Sequence, residues 1–583
     1  MEDRFKEWET PEIIEGELTK WNWMVQGKKG LKLGKKTDIG AFTYINARNG
    51  VEVGDNVEIG SHCSIYSIST IDNKQGEVTL NKNCKIGSHS IVMPGVTIGE
   101  NSIVGACSFV NSDIPPNVLA YGVPAKIIKP INKKEKKLCI VHCIDTEGPL
   151  YESLEATFQR IKSIFSINLF PNLENLEKLR EKKIPLEGQE EEIARFLKKD
   201  LFNYCSNWEQ IKLMLDTITS NPFRNKLKDS FGNSWIYNWF CLDHAGFTGE
   251  NPRKRDLGFH KVFDFYKNYL EKNTEKDIIQ WHFHPLSIKK DAHRCGVNYF
   301  NAPILTEILA RKIIDRKWFP SAFRPGFHTE RPDSNWFLEQ WIPFDYANQS
   351  TSQKLEQPDL SNGKFGDWRK APKEWKVYHP SIEDYQKEGF CKRWIARCLN
   401  INSRLRQISQ EDVIEAFERA NSGIPTLLSF TNHDFRNMEK DTEIIMNLIK
   451  EVSEKFPEVK FEFCNAVDAF RKTIGIKEFK NPGFQAKFIK KEENFQEIEI
   501  TCQNEIFGVQ PFFAIKTNKG EYLWQNLDFI DKNKWGFTFN FDTIFLEECE
   551  KIGIAANSPD GTTEVLNIDL GNFQEDRKIY NLS

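Results

Sequence analysis

The chain has 583 residues, too many for one hydrophobic core, and length alone suggests roughly three or four domains. A net charge of −4 excludes the broad basic footprint of a nucleic-acid or anionic-membrane binder. The 13 cysteines are scattered, odd in number and without a CxxC pair, and no apolar run is long enough to span a bilayer. With the charged start MEDRFKEWET, these features point to a reducing cytoplasm and free thiols.

Residues 1–30, with Trp8, Trp21 and Trp23, read as a cap over the first coil of a repeat. The repeat itself is a stripe of apolar residues every sixth position: Leu33, Ile39, Ile45 and Val51, then Val53, Ile59, Ile65 and Ile71, and again Ile86, Val92, Ile98, Val104 and Val110. A helix of 3.6 residues per turn cannot keep such a stripe on one face, whereas a coil of three short flats can. Glycine often follows the apolar residue, as in Ile39-Gly40 and Ile98-Gly99, and small residues are expected at the corners. The pattern predicts a left-handed parallel β-helix over residues 1–130. DNKQGE, between Ile71 and Val78, reads as a loop thrown from one corner, and IPPNVLAYGVPAKIIKPI as the segment leaving the coil.

Residues 86–128, IGSHSIVMPGVTIGENSIVGACSFVNSDIPPNVLAYGVPAKII, resemble the end of a hexapeptide-repeat acyltransferase. The resemblance implies a homotrimer with an acyl-coenzyme A donor, acetyl-coenzyme A above all, in the groove between neighbouring coils. Gly105, Ala106 and Pro124 would line the pantetheine, and Lys126 would meet a phosphate. Many members carry the catalytic histidine in the loop that is here SISTIDNKQG, and this chain has none there. The remaining candidates for the base are His62, which precedes the strand leading into that loop, His89, and the loop's Asp72. Both histidines also fit plain corner positions. Cys63, Cys84 and Cys107 read as small core or corner residues.

INKKEKK, residues 131–137, is a solvated charge run and the first boundary. From Leu138 to about residue 480 strand-like runs alternate with helical spacing, which predicts an α/β domain with mostly parallel strands, as an open sheet or a barrel. Residues 152–230 read as a helical insertion. Polar and charged residues follow the apolar strands: Asp145 and Glu147 in IDTEG, Asp243 and His244 in CLDHAG, His282 and His284 in WHFHP, Arg324 in FRPGFH, and His433 in SFTNHDF. Residues at i and i+2 of an extended chain point the same way, so His282 and His284 can reach one divalent metal ion with a carboxylate of the IDTEG pair. Zinc suits two imidazoles and a carboxylate with an open position. Either Asp243 or His244 is a further candidate to complete the metal set, the alternative being a turn Asp and a surface His. His142 reads as a hydrogen-bonded core residue, and His260, His293, His328 and His379 as surface.

The order of these clusters resembles the nodulation-factor-type polysaccharide deacetylases over residues 138–475. The resemblance implies Asp145 as the base that takes a proton from water, His282, His284 and Glu147 as metal ligands, Arg324 as the partner of Asp145, and His433 as the acid. This chain departs in having Asp-Thr-Glu for adjacent aspartates and one residue rather than three between the histidines.

Residues 483–583 are short β-runs with polar turns, and no histidine follows His433, which predicts a β-sandwich-like domain without catalytic residues. The combined reading is a bifunctional enzyme of surface-sugar biosynthesis: acyl transfer to a sugar or nucleotide-linked amino sugar, and hydrolytic deacylation of a related one. A deacetylase-like module that only binds sugar, or a coil that only trimerises the chain, are the alternatives.

Overall fold

A computed structural model describes residues 8–130, 135–247, 257–274, 276–288, 290, 296, 298–300, 302–351, 366–403, 406–492 and 495–581. It divides into two compact units, Met1–Glu135 and Lys136–Ser583. Most of the INKKEKK boundary run, and His293, lie outside the described residues. Among the described residues no helix is long and apolar enough to cross a membrane.

The first unit is a coil of three parallel sheets. One runs Met24–Gln26, Tyr44–Asn46, Ser64–Tyr66, Ile91–Val92 and Phe109–Val110; the second carries Leu31–Leu33, Val51–Val53, Val78–Leu80 and Thr97–Ile98. The third begins at Asp38–Ile39 and ends with Val118–Tyr121 and the antiparallel Lys126–Pro130. Ile45 lies beside Ile65, and Ile65 beside Val92, each fully buried, so every inward residue rests on the coil below. The coil is longer than the sequence suggested at both ends. Met24–Gln26 already pairs with Tyr44–Asn46, so the expected cap contains the first flat, with Trp23 buried. Val118–Tyr121 pairs in parallel with Ile103–Val104 and so completes a coil instead of leaving it. Ile71 is the one break in the stripe: it is 97% exposed, at the tip of a hairpin closed by the Ile68–Gln75 bridge.

The corners differ from expectation in chemistry. The left-handed positions (φ near +60°) are held by Phe42, His62, His89 and Cys107 in one column and by Lys36, Asn56, Asn83, Asn101 and Asn117 in another. The glycines after the apolar residues serve a different need. A Cβ on Gly40 would stand 2.4 Å from the Ser61 nitrogen, so glycine there lets one coil lie directly on the next.

The second unit is built on an eight-stranded parallel sheet. In chain order its strands are the first, Lys137–Thr146; second, Tyr237–Leu242; third, Ile278–Phe283; fourth, Ala322–Pro325; fifth, Phe344–Asn348; sixth, Trp394–Asn400; seventh, Thr426–His433; and eighth, Lys460–Phe463. Each of the first six pairs with the next, and the first strand also pairs with the seventh, so the sheet closes on itself. The eighth wedges beside the N-terminal half of the first. Alternation sorts the first strand's side chains. Leu138, Ile140 and Ile144 join the large core under the helices, while Cys139, Val141 and Cys143 join a second cluster with Phe240, Ala396 and Cys398. Asp145 continues the second series. Helices occupy the 152–230 segment; the first of them pack a small core of their own around Phe158, Ile161 and Leu179, while helix Trp208–Ile218 joins the large core through Ile211, Leu215 and Ile218.

The C-terminal strands form two antiparallel sheets around a third core that includes Ile498, Phe513, Phe537 and Ile554. This sandwich is not a separate body. Phe512, Ala514, Ala555 and Val565 belong to the barrel's core, and Asn567 donates to the carbonyls of Ile313 and Ile314 on helix Pro303–Arg316.

Candidate functional site

The C-terminal ends of the first, third, fourth and seventh barrel strands bring together residues scattered from 145 to 433. Arg324 and Asp145 make a two-pronged ion pair, Nε to Oδ1 at 2.5 Å and Nη2 to Oδ2 at 3.1 Å, with both side chains buried. Arg324 also donates Nη1 to the Tyr346 carbonyl at 2.5 Å. Burial alone would raise the Asp145 pKa; the Arg324 charge, with smaller help from His282 and His433, overcomes it and holds the carboxyl well below the usual range.

Glu147, His282 and His284 stand beside this pair. Each offers a ligand atom within 4.8 Å of the others, and all three are buried. The two Nε2 atoms face each other at 3.0 Å, and Glu147 Oε1 lies 3.9 Å from His282 Nε2 and 3.7 Å from His284 Nε2. Two imidazole nitrogens and one carboxylate oxygen turned toward one point are a donor set that fits a divalent ion. His282 Nδ1 is 2.8 Å from the Arg324 carbonyl, which puts the ring's remaining proton on Nδ1 and leaves Nε2 as the donor atom. His433, half-buried, places Nε2 3.8 Å from Asp145 Oδ2 and 3.9 Å from Glu147 Oε1. Gly326 is required here: a Cβ would lie 2.2 Å from the His284 ring.

Three further groups complete the surroundings, and sequence reasoning missed two of them, Asp434 and His328. Asp434 accepts the N–H groups of Glu147 and Gly148 at 2.7 and 2.9 Å and the Tyr266 hydroxyl at 2.8 Å, fixing the turn that carries Glu147. His328, expected at the surface, is buried with Nδ1 3.4 Å from Arg324 Nη2; burial, then the Arg324 charge, pushes its pKa well down. His244 meets the Glu147 carbonyl at 2.9 Å. The signals were present, since Asp434 adjoins His433 and His328 shares the FRPGFH segment with Arg324.

Asp243 is a correction. Its carboxylate is bound by Lys312 at 2.8 Å and by Trp281 Nε1 at 3.3 Å, so it stands in a buried ion pair apart from the ligand group. His260 and His379, expected at the surface, are half-buried, His260 3.4 Å from Asp315 and His379 with Nδ1 at the Arg393 carbonyl. His142 is buried as expected, bonded to Asn432 and Trp235, and burial pushes its pKa down to about 3.

In the first unit, His62 and His89 are exposed on consecutive coils of one corner, their rings stacked at 4.7 Å. Ala106-Cys107 is the next step of that column, since the Cys107 N–H bonds the Ser88 carbonyl just as the His89 N–H bonds that of Ser61. Gly105 precedes it, and Ala125 donates its N–H to the Phe109 carbonyl, which puts Pro124 and Lys126 at the neighbouring flat. The histidine corner and the four residues expected at coenzyme A therefore share one edge. Asp72 is elsewhere. It lies in the hairpin beyond the C-terminal end of the Ser64–Tyr66 strand, whereas His62 precedes that strand. Its carboxylate is bonded to Ser69 and to the Lys74 N–H, which lower its pKa.

A family model described as bacterial transferase hexapeptide (six repeats) matches residues 77–112. Galactoside O-acetyltransferase of Escherichia coli (strain K12) is 43% identical over 95 residues, 15% of this chain and 47% of its own length. The N-terminal unit carries the hexapeptide repeat and is similar in sequence to acetyltransferases built on it. Galactoside O-acetyltransferase of Lactococcus lactis is 33% identical over 119 residues, 18% of this chain and 58% of its own. Among solved structures, a galactoside acetyltransferase in complex with coenzyme A is 31% identical, covering 20% of this chain and 62% of that one, with a TM-score of 0.18. A hexapeptide-repeat acetyltransferase from Vibrio cholerae is 28% identical, covering 19% and 68%, also with a TM-score of 0.18. The chain thus spans about half the length of the curated relatives it matches.

Proposed function

We propose that the chain is a bifunctional sugar-modifying enzyme. The hexapeptide-repeat domain transfers an acetyl group from coenzyme A to a sugar or nucleotide-linked amino sugar, and the barrel removes an acyl group from a related sugar, both in surface-glycan biosynthesis in the cytoplasm. The relatives named for galactoside acetylation support a sugar acceptor. The shared edge of His62, His89 and Gly105-Ala106 supports one of the two histidines as the base that takes the acceptor's proton. As in the resemblance noted for the repeat, the assembly is a homotrimer of about 200 kDa, closed by cyclic symmetry. A monomer by light scattering at micromolar concentration overturns the trimer.

The barrel half rests on one observation, the buried Asp145–Arg324 pair set against Glu147, His282 and His284. A divalent ion, zinc by the donor set, would be held by those three residues and would supply a polarised water and a Lewis acid for the acyl carbonyl. Arg324 keeps Asp145 ionised and aimed, so one carboxylate oxygen remains a proton acceptor at neutral pH. His433, its Nε2 3.8 Å from Asp145 Oδ2, donates the proton that the leaving amine or alkoxide requires.

Mass spectrometry of acetylated and free nucleotide-linked amino sugars, incubated with zinc-loaded protein with and without acetyl-coenzyme A, tests both halves. Acetyl gain that requires coenzyme A and acetyl loss that requires zinc are expected. Asp145→Asn should lower hydrolysis about 100-fold with zinc content unchanged. Wild-type protein that retains no zinc and removes no acyl group overturns the hydrolase.

A further inference from the structure

The segment that leaves the fourth barrel strand is strained. Phe327 and His328 are consecutive non-glycine residues with φ +52°, a left-handed conformation that such side chains rarely adopt. The surroundings hold them in it. Trp368 Nε1 donates to the His328 carbonyl at 2.9 Å, and a Cβ on Gly366 would stand 1.6 Å from that oxygen. The Phe327 ring packs edge-on against His284, with the centroids 4.8 Å apart. Strain held this firmly beside a site points to a side chain whose placement matters there.

That side chain is His328. One nitrogen of Arg324, Nη2, lies 3.1 Å from Asp145 Oδ2 and 3.4 Å from His328 Nδ1. A guanidinium N–H can only donate, so Nδ1 accepts and the ring's single proton sits on Nε2. A second proton would aim Nδ1–H at the guanidinium, and burial together with the Arg324 charge keeps the ring neutral. Nε2 is neither enclosed nor bonded among the described residues. The charges that act on the ring are those of Arg324, Asp145, Arg406 and His433, three of them members of the candidate site. His433 is placed differently: its Nε2 faces the carboxylates of Asp145 and Glu147, at 3.8 and 3.9 Å. One imidazole therefore meets groups that exchange protons, and the other has a fixed N–H and no neighbouring carboxylate bond.

Resting on the hydrolase reading, we propose that His328 donates its Nε2–H to the acyl carbonyl oxygen of the substrate and stabilises the negative charge that forms there. Water attacks the carbonyl carbon and gives a proton to Asp145. The carbonyl π pair moves onto oxygen, which accepts the Nε2–H hydrogen bond without taking the proton. When the pair returns, the bond to the leaving nitrogen or oxygen breaks, and that atom takes a proton from His433. A neutral N–H fixed in advance needs no rearrangement as the charge develops.

The probes are UDP-N-acetylglucosamine and its analogue with a methylphosphonamidate in place of the acetamide, which mimics the tetrahedral charge. Acetate release and calorimetric binding are measured on zinc-loaded protein. His328→Phe, which keeps a flat ring, should lower kcat about 100-fold and weaken the analogue by a similar factor, with KM and zinc content within about twofold. His328→Gln, whose amide restores a donor near Nε2, should recover about tenfold of that loss and controls for folding. The shape of the pH–rate profile should stay the same. Unchanged kcat in His328→Phe, beside an active wild type, overturns the role and leaves the hydrolase standing. Loss of zinc also overturns it, since His328 would then support the ligands, and so does loss of the basic limb of the profile, since His328 would then be the acid. Analogue binding that needs His328, without acetate release, upholds the donor and rejects the hydrolase. Zinc-loaded wild type that releases no acetate and binds no analogue rejects the hydrolase and this role with it.

Discussion

In the hexapeptide-repeat domain, His62 and His89 stand on successive coils of one corner, held by the same left-handed turn repeated from coil to coil. In the barrel, Asp145, His282, Arg324 and His433 arrive on four strands, and their side chains are fixed by one another more than by their own backbones. The first site is exposed and modular: its geometry comes from stacking, so a corner residue can change without cost to the core. The second is buried and reciprocal. Arg324 alone holds Asp145, the Tyr346 carbonyl and the His282 contact through its own carbonyl, so the loss of one member leaves another charge unpaired.

The largest predicted effect uses that asymmetry. His282→Ala should abolish zinc retention and hydrolysis together, while acetyl transfer stays within about twofold, because the coil is a separate compact unit. Elemental analysis beside both assays reads it. A parallel fall in acetyl transfer would show that the two sites are coupled after all. A smaller effect should follow from Gly326→Ala. The new Cβ falls 2.2 Å from the His284 ring, so the ring must move from its ligand position. Zinc affinity should drop about 10- to 100-fold with secondary structure intact. Unchanged affinity would mean that His284 is not a ligand.

A third prediction concerns stability. His142 Nδ1 accepts from Trp235 Nε1 and its Nε2 faces Asn432 Oδ1, so the neutral ring satisfies both partners. A second ring proton would face the Trp235 N–H. The pKa is depressed to about 3 in the fold, against 6.5 for the free side chain. Above pH 6.5 neither state binds the proton and the contribution is complete. As pH falls below 6.5 the unfolded chain protonates first, and stability drains away toward pH 3. At pH 5 the loss is about 2 kcal/mol. His142→Gln, which keeps one donor and one acceptor, should flatten that acid slope in denaturant titrations. An identical slope would place the titration elsewhere.

What could be read from the sequence follows the same division. The coil's stripe was legible because one residue per flat repeats locally, and it failed at Ile71, where the period continues in the text but the chain has left the coil. The corner chemistry was misread because glycine is conspicuous in sequence, whereas at two of the corners the turn itself is made mostly by Asn and His and the glycines after the apolar residues serve close stacking; only the remaining corner uses left-handed glycines, Gly27, Gly50 and Gly95. In the barrel the ligand pairs were legible as i, i+2 residues at strand ends. Asp243 has the same local appearance, yet Lys312 on a distant helix claims it. His328 was passed over because a lone histidine carries no spacing signal, and its burial beside Arg324 depends on the fourth strand's exit. The sandwich looked independent because its strands pair only with each other, while the helix that shares its core lies far upstream in the chain.

The smallest predicted effect tests the coil's modularity directly. Asn101 has φ +61° at a corner, accepts the Asn83 side-chain N–H at 3.0 Å and donates its own to Asn117 at 3.0 Å, all near the surface. Alanine would keep the coil but pay for the left-handed turn and break the amide ladder. Of these, the backbone term dominates, because exposed amide bonds trade with water, and the cost should be about 1 kcal/mol. Glycine loses the same ladder but meets no left-handed penalty, so Asn101→Gly should cost clearly less than Asn101→Ala in thermal or denaturant unfolding. The opposite order would make the side-chain ladder, not the turn, the element that holds the corner. In either case zinc binding by the barrel should not change, since the ligand group draws on no residue of the coil.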